Sequence, residues 1–297
     1  MNRPKGRITR QLVGLSVLLV LAATVRPSVA ADIGPSRGSL VIVGGAMKDP
    51  AIVRRFLQLA GGADQPIVVI PTAGEDDQYD QSWSGLQQFR DAGATHLTVV
   101  HTRDHAVADT EAFVRPIREA RGVFFPGGRH WRIADAYLNT RTHRELRALL
   151  DRGGVIGGSS AGATIQGSFM VRGDTKGNEI MVGDHTEGLG FLKGVTIDQH
   201  LLKRNRQFDL VPVITTRPEL LGIGIDEDTA IVVTGDEFEV IGRSYVVIYD
   251  NQRQIPPDGR FYFLAPGDHY NLKTRAATRP TEVMRPIDRV KEGKWIK

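Results

Sequence analysis

Val155-Ile156-Gly157-Gly158-Ser159-Ser160-Ala161-Gly162-Ala163-Thr164 is the stretch that decides the fold of this chain. Gly154 to Ile156 reads as a short buried strand. It runs into a Gly-x-Ser-x-Gly pattern, Gly158 to Gly162, and small residues that open a helix follow. With 33 glycines in 297 residues the pattern alone is a weak signal; strand, tight turn and helix in succession make it a nucleophile elbow. In such a turn Ser160 is strained, with its hydroxyl pointing away from the backbone. Gly158 and Gly162 carry no Cβ, so strand and helix can approach closely. The amide of Ala161 is then free to donate to a developing oxyanion.

Working outward from that stretch, the N-terminus stands apart. Arg3, Lys5, Arg7 and Arg10 form a basic segment, Leu12 to Ala23 is apolar and uncharged, and Ser28-Val29-Ala30 is a small-x-small cleavage site. This is the pattern of a secretory signal peptide over residues 1–30. Gln11 to Val25 is too short for a comfortable membrane span. The leader carries five Lys and Arg and no acid, so its removal takes the net charge from +4 to −1. The basic balance is a leader property and gives no argument for nucleic acid or a membrane surface. Residues 31–297 suit one large α/β domain. The chain has no cysteine. That excludes disulfides, a cysteine nucleophile and thiolate metal sites. It also excludes an amidotransferase that relies on a cysteine.

Upstream of the elbow, strands alternate with helices. Ser39 to Val43, Ile67 to Ile70, Leu97 to Val100 and Gly122 to Phe125 read as strands, apolar enough to be buried on both faces. Asp49 caps a helix with Pro50 at its first position, ended by Gly61. Leu86 and Phe89 mark a second helix. Asp109 to Ala120, Trp131 to Leu138 and Thr142 to Leu150 follow, with Pro116 able to bend the first of these. This alternation predicts βαβ units and a three-layer α/β/α sandwich with a mostly parallel central sheet. Ligands then bind beyond the carboxyl ends of strands, where Ser160 and Pro126-Gly127-Gly128 lie. Downstream, Met170 to Glu187 reads as loops or a hairpin and Val195 to Gln199 as a strand. Leu201 to Thr216 reads as mostly helical. Ala230 to Val233, Phe238 to Ile241, Tyr245 to Tyr249 and Phe261 to Leu264 read as short strands, a β-rich C-terminal part. Thr278 to Lys297 is a polar tail.

A serine nucleophile needs a base, and the base an orienting group. Of eight histidines, His200 stands out: it closes the strand-like run Thr196 to Gln199 and precedes Lys203-Arg204-Asn205-Arg206. A surface histidine with basic neighbours is the plain alternative. Asp226-Glu227-Asp228 sets three acids between two apolar runs, where mutual repulsion favours a local function for one of them. A charged turn is the alternative there.

The segments GGSSAGA, FFPGGRHWRI, DQHLLKRNR and LGIGIDEDTA occur in an order and spacing that resembles the cyanophycinase family. These are dipeptidase E-like serine peptidases with a class I glutamine amidotransferase-like fold, and the similarity runs from about Leu40 to Leu272. The resemblance implies Ser160 as nucleophile, His200 as general base and Glu227 as its orienter. It implies an oxyanion hole from the amides of Gly128 and Ala161. Gln199, Arg204, Arg206 and, in the same loop as Gly128, His130 become candidate substrate contacts. The implied reaction is metal-free and cofactor-free hydrolysis of aspartyl or β-aspartyl bonds in a small peptide or β-aspartyl polymer. A homodimer stays open. The family tends to have Gly-Gly-Asp-Gln where this chain has Gly127-Gly128-Arg129-His130, and a third arginine where it has Asp209. Arg204 and Arg206, two apart, face one side if extended and diverge on a helix. Both can hold a substrate carboxylate, or pair with Asp226, Asp228 or Asp209 as structure. Other readings are an esterase or amidase and an inactive ligand-binding relative. An α/β-hydrolase esterase would carry its acid before its histidine, whereas Glu227 follows His200.

Overall fold

The computed structural model describes residues 33–252 and 259–280, with two short backbone strands at 290–291 and 294–295. The expected leader, residues 1–30, lies outside the described residues. In chain order the first half comprises β1 (Ser39–Val43), α1 (Pro50–Leu59), β2 (Ile67–Val69), α2 (Gln87–Asp91), β3 (Leu97–Val99), α3 (His105–Ala108), α4 (Glu111–Glu119), β4 (Gly122–Phe125), α5 (His130–Tyr137), α6 (Arg141–Asp151), β5 (Val155–Ser159) and α7 (Ala161–Thr164). The second half adds β6 (Gly167–Phe169), β7 (Leu192–Gln199), α8 (Leu210–Thr216), β8 (Leu221–Ile225), β9 (Thr229–Thr234), β10 (Glu237–Gly242), β11 (Val246–Tyr249), β12 (Tyr262–Leu264), β13 (His269–Asn271) and β14 (Ala276–Thr278), then β15 (Val290–Lys291) and β16 (Lys294–Trp295).

A nine-stranded sheet runs β14-β13-β10-β9-β1-β5-β4-β2-β3. From β1 to β3 it is parallel; from β9 to β14 the chain extends it with antiparallel strands. The expected α/β fold with a parallel core and added β structure is therefore present. β1 is central, paired with β5 on one edge and β9 on the other. Its side chains alternate between two cores, which is why it reads as an unbroken apolar run. Val41 and Val43 face α1 and α2, where Phe56, Phe89 and Phe124 meet edge to face at 5.1 to 6.1 Å. Leu40 and Ile42 face the opposite core, shared with α5, α6, α7 and a second sheet.

That second sheet, β12-β11-β8-β7-β6, is the main feature the sequence reading did not resolve. Its inner face (Ile197, Ile223, Ile225, Val246, Ile248) packs into the core shared with β1 and β9. Its outer face carries α8 with Leu201, Val247 and Tyr249. β8 went unread because Gly222 and Gly224 dilute its hydrophobic pattern; they leave room for Ile214, Tyr249 and Leu201. β10 and β11, spaced like a hairpin, belong to different sheets.

The helix expected over Asp109 to Ala120 is present as α4, which Thr110 caps by accepting from the Phe113 amide; a short α3 capped by Asp104 precedes it. Pro116 stays inside α4. One helix expectation is corrected. Leu201 to Phe208 is not helical. The Asp226 carboxylate takes the amides of Leu202 and Lys203, and Asn205 has positive φ, so the segment turns and only α8 is helical. Local side chain–backbone bonding has overridden propensity there. β14 ends at Thr278, and most of the expected polar tail lies outside the described residues.

The elbow is built on close approach. A Cβ on Gly158 would overlap the Gly162 carbonyl, and one on Gly162 would overlap the Phe125 carbonyl. Gly162→Ala should therefore destabilise by about 1–3 kcal/mol, as forced overpacking does, and thermal melts should show it as a clear drop in Tm. Gly177→Ala, with nothing within 4 Å and no positive φ, is the control and should melt like wild type. Equal Tm values for the two variants would remove the packing argument.

His130 opens α5 and is 2% exposed, its Nε2 at 2.8 Å from the Val171 carbonyl. Burial holds its pKa down at about 4. The folded state thus refuses a proton that the unfolded chain accepts near 6.5. Stability from this group is full above pH 6.5, is lost as pH falls from 6.5 to 4, and falls no further below that. Denaturant titrations should show this loss, up to about 3 kcal/mol, and His130→Gln should flatten the slope in that window.

Candidate active site

Three segments converge on the exit of β1. The Ser160 amide donates to the Val43 carbonyl (3.0 Å), the His200 amide to Gly44 (2.8 Å) and the Asp228 amide to Gly45 (3.0 Å). Ser160 follows β5, His200 follows β7, and Glu227 lies two residues beyond β8. Ser160, His200 and Asp228 all have positive φ, at 57°, 54° and 55°. Such strain in non-glycine residues persists only where the surroundings over-determine it, and it concentrates at functional sites. Gly44 and Gly45 make the convergence sterically feasible. A Cβ on Gly44 would overlap the Ile225 and Asp226 carbonyls, and one on Gly45 the His200 ring.

The side chains form one hydrogen-bonded line. Ser160 Oγ lies 2.8 Å from His200 Nε2, and His200 Nδ1 lies 2.7 Å from Glu227 Oε1. Glu227 accepts from Nδ1–H, which leaves Nε2 of the neutral ring to accept from the serine hydroxyl. Burial lowers the His200 pKa below the ordinary 6.5; the Glu227 hydrogen bond opposes this, and the nearby Arg204 and Arg206 charges reinforce it. The imidazole is therefore neutral and basic at neutral pH.

The three adjacent acids avoid repulsion by turning to different partners. Asp226 accepts the Leu202 and Lys203 amides at 2.9 Å each and the Ser244 hydroxyl at 2.6 Å. Asp228 accepts the Lys48 and Asp49 amides. Only Glu227 reaches the imidazole. Sequence reasoning singled out the acid cluster but missed the supporting roles of Gly44, Gly45, Asp226 and Asp228. The only available signal was that a glycine pair directly follows a buried strand.

The Pro126-Gly127-Gly128 turn adjoins the serine: a Cβ on Gly127 would sit 3.6 Å from Ser160 Oγ. The amides of Gly128 and Ala161 donate to no described residue. Gln199 is buried, its Oε1 accepting from Arg206 Nη1 at 3.2 Å. Of the two arrangements open to Arg204 and Arg206, the structure shows the diverging one, though on a turn and not a helix. The turn that starts at His200 sends Arg204 to solvent and buries Arg206. Arg206 Nη2 meets Glu179 at 3.1 Å, not Asp226, Asp228 or Asp209. Asp209 instead pairs with Arg172 at 2.5 Å, and Arg172 also grips the buried Asp198 at 2.8 and 3.0 Å. The His130 ring is buried, its Nε2 beside the Val171 carbonyl. Among the described residues there is no cluster of three metal-ligating side chains and no helix long and apolar enough to cross a membrane.

Comparison with known proteins agrees with this architecture. The model of Peptidase family S51 matches residues 40–241. The chain is 33% identical over 265 residues to a cyanophycinase from Geminocystis herdmanii, covering 80% of this chain and 95% of the relative. It is 32% identical over 260 residues to one from Synechococcus elongatus, covering 80% of each. The fold is similar to that of a peptidase from an acI-B1 Actinobacterium, with a TM-score of 0.60 at 23% identity, covering 80% of this chain and 98% of that one. A peptidase E-like protein from Listeria monocytogenes gives 0.50 at 18% identity, with 70% and 99% covered. The chain belongs to Peptidase family S51 and is a serine-type peptidase.

Proposed function

We propose that this chain is an exported peptidase that hydrolyses aspartyl or β-aspartyl peptide bonds through Ser160, His200 and Glu227. The observation that carries the reading is the line from Ser160 Oγ through His200 to Glu227 at 2.8 and 2.7 Å. As Oγ attacks the scissile carbonyl, its proton passes to His200 Nε2. Glu227 balances the imidazolium and holds the ring in register. The amides of Gly128 and Ala161, which have no partner among the described residues, receive the oxyanion. Nε2 then gives its proton to the departing amine, and water repeats the sequence to release the acyl group.

The substrate class is argued from the relatives named cyanophycinase and from the arginines. A guanidinium binds a carboxylate in a planar fork, so Arg206, buried beside Gln199, suits a free carboxylate near the scissile bond. The α-carboxylate of a β-linked aspartate meets that description. Asp209, at the position of a third arginine in the resemblance, is neutralised by Arg172 and adds no carboxylate-binding charge. The reading therefore favours small β-aspartyl peptides.

A fluorophosphonate probe should label the wild-type protein on Ser160. Ser160→Ala and His200→Ala should each lower kcat by at least about 10⁴-fold, and the double variant should be little worse, because the residues act as a unit. Glu227→Gln should cost less, since it orients and does not transfer the proton. Near-normal turnover by Ser160→Ala would end the serine mechanism.

Only neutral His200 can act as the base, so a lowered pKa preserves activity to lower pH. The acidic limb of kcat/KM should have its midpoint below 6.5. Arg204→Met removes a charge that lowers this pKa and should move the limb upward; Glu227→Gln should move it downward. Export is tested separately. Protein recovered from the periplasm or medium should begin near Ala31 on N-terminal sequencing, and cytoplasmic protein retaining Met1 would contradict it.

A further inference from the structure

Between β6 and β7 the chain makes a long excursion that carries Arg172, Asp174, Asn178 and Glu179. The buried charges it meets are unequally paired. Arg172, 1% exposed, holds Asp198 through two hydrogen bonds, takes Asp209 as well, and has Glu179 Oε2 at 3.7 Å from its Nη1. Arg206, whose side chain is 3% exposed, receives two neutral acceptors from Gln199 through Nη1, at 3.2 Å each. Among the described residues its one ion-pair carboxylate is Glu179, on Nη2 at 3.1 Å. Glu179 is 77% exposed. The carboxylate in direct contact with this buried guanidinium thus stands mostly in water and reaches inward, while the buried Asp198 adds counter-charge from farther off.

The backbone beside Glu179 is anchored independently. Arg172 Nη1 donates to the Asn178 carbonyl at 3.1 Å. The Asp174 carboxylate accepts the Lys176 and Asp184 amides, and Asp184 accepts from Thr175. Rotation of the Glu179 side chain into solvent would therefore give up Arg206 and the longer 3.7 Å contact to Arg172 while its loop is held by other bonds.

We propose that Glu179 occupies, in the substrate-free enzyme, the position on Arg206 Nη2 that the substrate carboxylate takes, and that substrate binds by displacing it. This rests on the reading of Arg206 as the carboxylate site. Glu179 is then a specificity-determining residue: it neutralises the buried cation between turnovers and sets a threshold that an incoming anion must exceed. A substrate carboxylate able to engage the guanidinium in a fork meets that threshold. An amide cannot, because it brings no charge to replace the one removed.

The test is calorimetric titration of a β-aspartyl dipeptide and of its α-amide into Ser160→Ala protein, with and without Glu179→Gln. Because binding is read without turnover, the outcome does not depend on the catalytic assignments, which the fluorophosphonate experiment tests separately. Removing the competing charge should tighten the free acid relative to the amide by about fivefold, the scale of an exposed ion pair. General loosening of the loop would weaken both ligands alike and leave their ratio unchanged. An unchanged or reduced ratio overturns the displacement proposal. If the free acid shows no advantage over the amide even before Glu179 is altered, Arg206 is not the carboxylate site, and both readings of it fall.

Discussion

The site depends on three successive carbonyls. Val43, Gly44 and Gly45, at the end of the central strand, accept the amides of Ser160, His200 and Asp228 in turn. Each bond is an ordinary backbone hydrogen bond, worth about 1 kcal/mol net. Their effect is geometric. Three segments from different parts of the chain are indexed against one strand end at intervals of one residue. That indexing supports the positive φ of Ser160, His200 and Asp228, none of which would be adopted freely.

Charge around this frame is arranged by division. Asp226 and Asp228 are spent on backbone amides, Asp226 also on Ser244, and Glu227 is left for the imidazole. Asp198 and Asp209 bind Arg172, Gln199 binds Arg206, and Glu179 spans both arginines, at 3.1 Å from Arg206 and 3.7 Å from Arg172. Removing one of a fully buried pair such as Arg172–Asp198 leaves an uncompensated charge, so such pairs preserve geometry strictly even where they add little net stability.

The parallel half of the fold was legible because its strands are buried on both faces and its helices carry local caps. Asp49 with Pro50 and the run Ser39 to Val43 lie where their patterns put them. The elbow was legible because a sterically demanding turn needs glycines at fixed spacing. The second sheet was not, because β8 is half glycine-spaced and its identity comes from what packs on it. Leu201 to Phe208 looked helical because its periodicity is apolar, while the deciding acceptor, Asp226, lies far along the chain. For the same reason the divergence of Arg204 and Arg206 could not be read: spacing alone does not reveal a turn imposed from elsewhere. His130 looked like a loop residue beside Gly128, but the first turn of α5 carries it into the core.

Ser160 leaves the large sheet through β5, whereas His200 and Glu227 leave the small sheet through β7 and β8. Among the described residues no strand-to-strand ladder joins the two sheets; they meet through side-chain packing and through the strand-exit contacts at Val43 to Gly45. The hydrogen-bonded line from serine to glutamate therefore crosses a seam between two separately laddered bodies. A shift of a fraction of an ångström along that seam would lengthen the Ser160–His200 contact while leaving every strand pairing intact. In the proposed mechanism catalytic competence is a vernier on the registry of the two sheets, whose shared core includes Ile42 and Ile225.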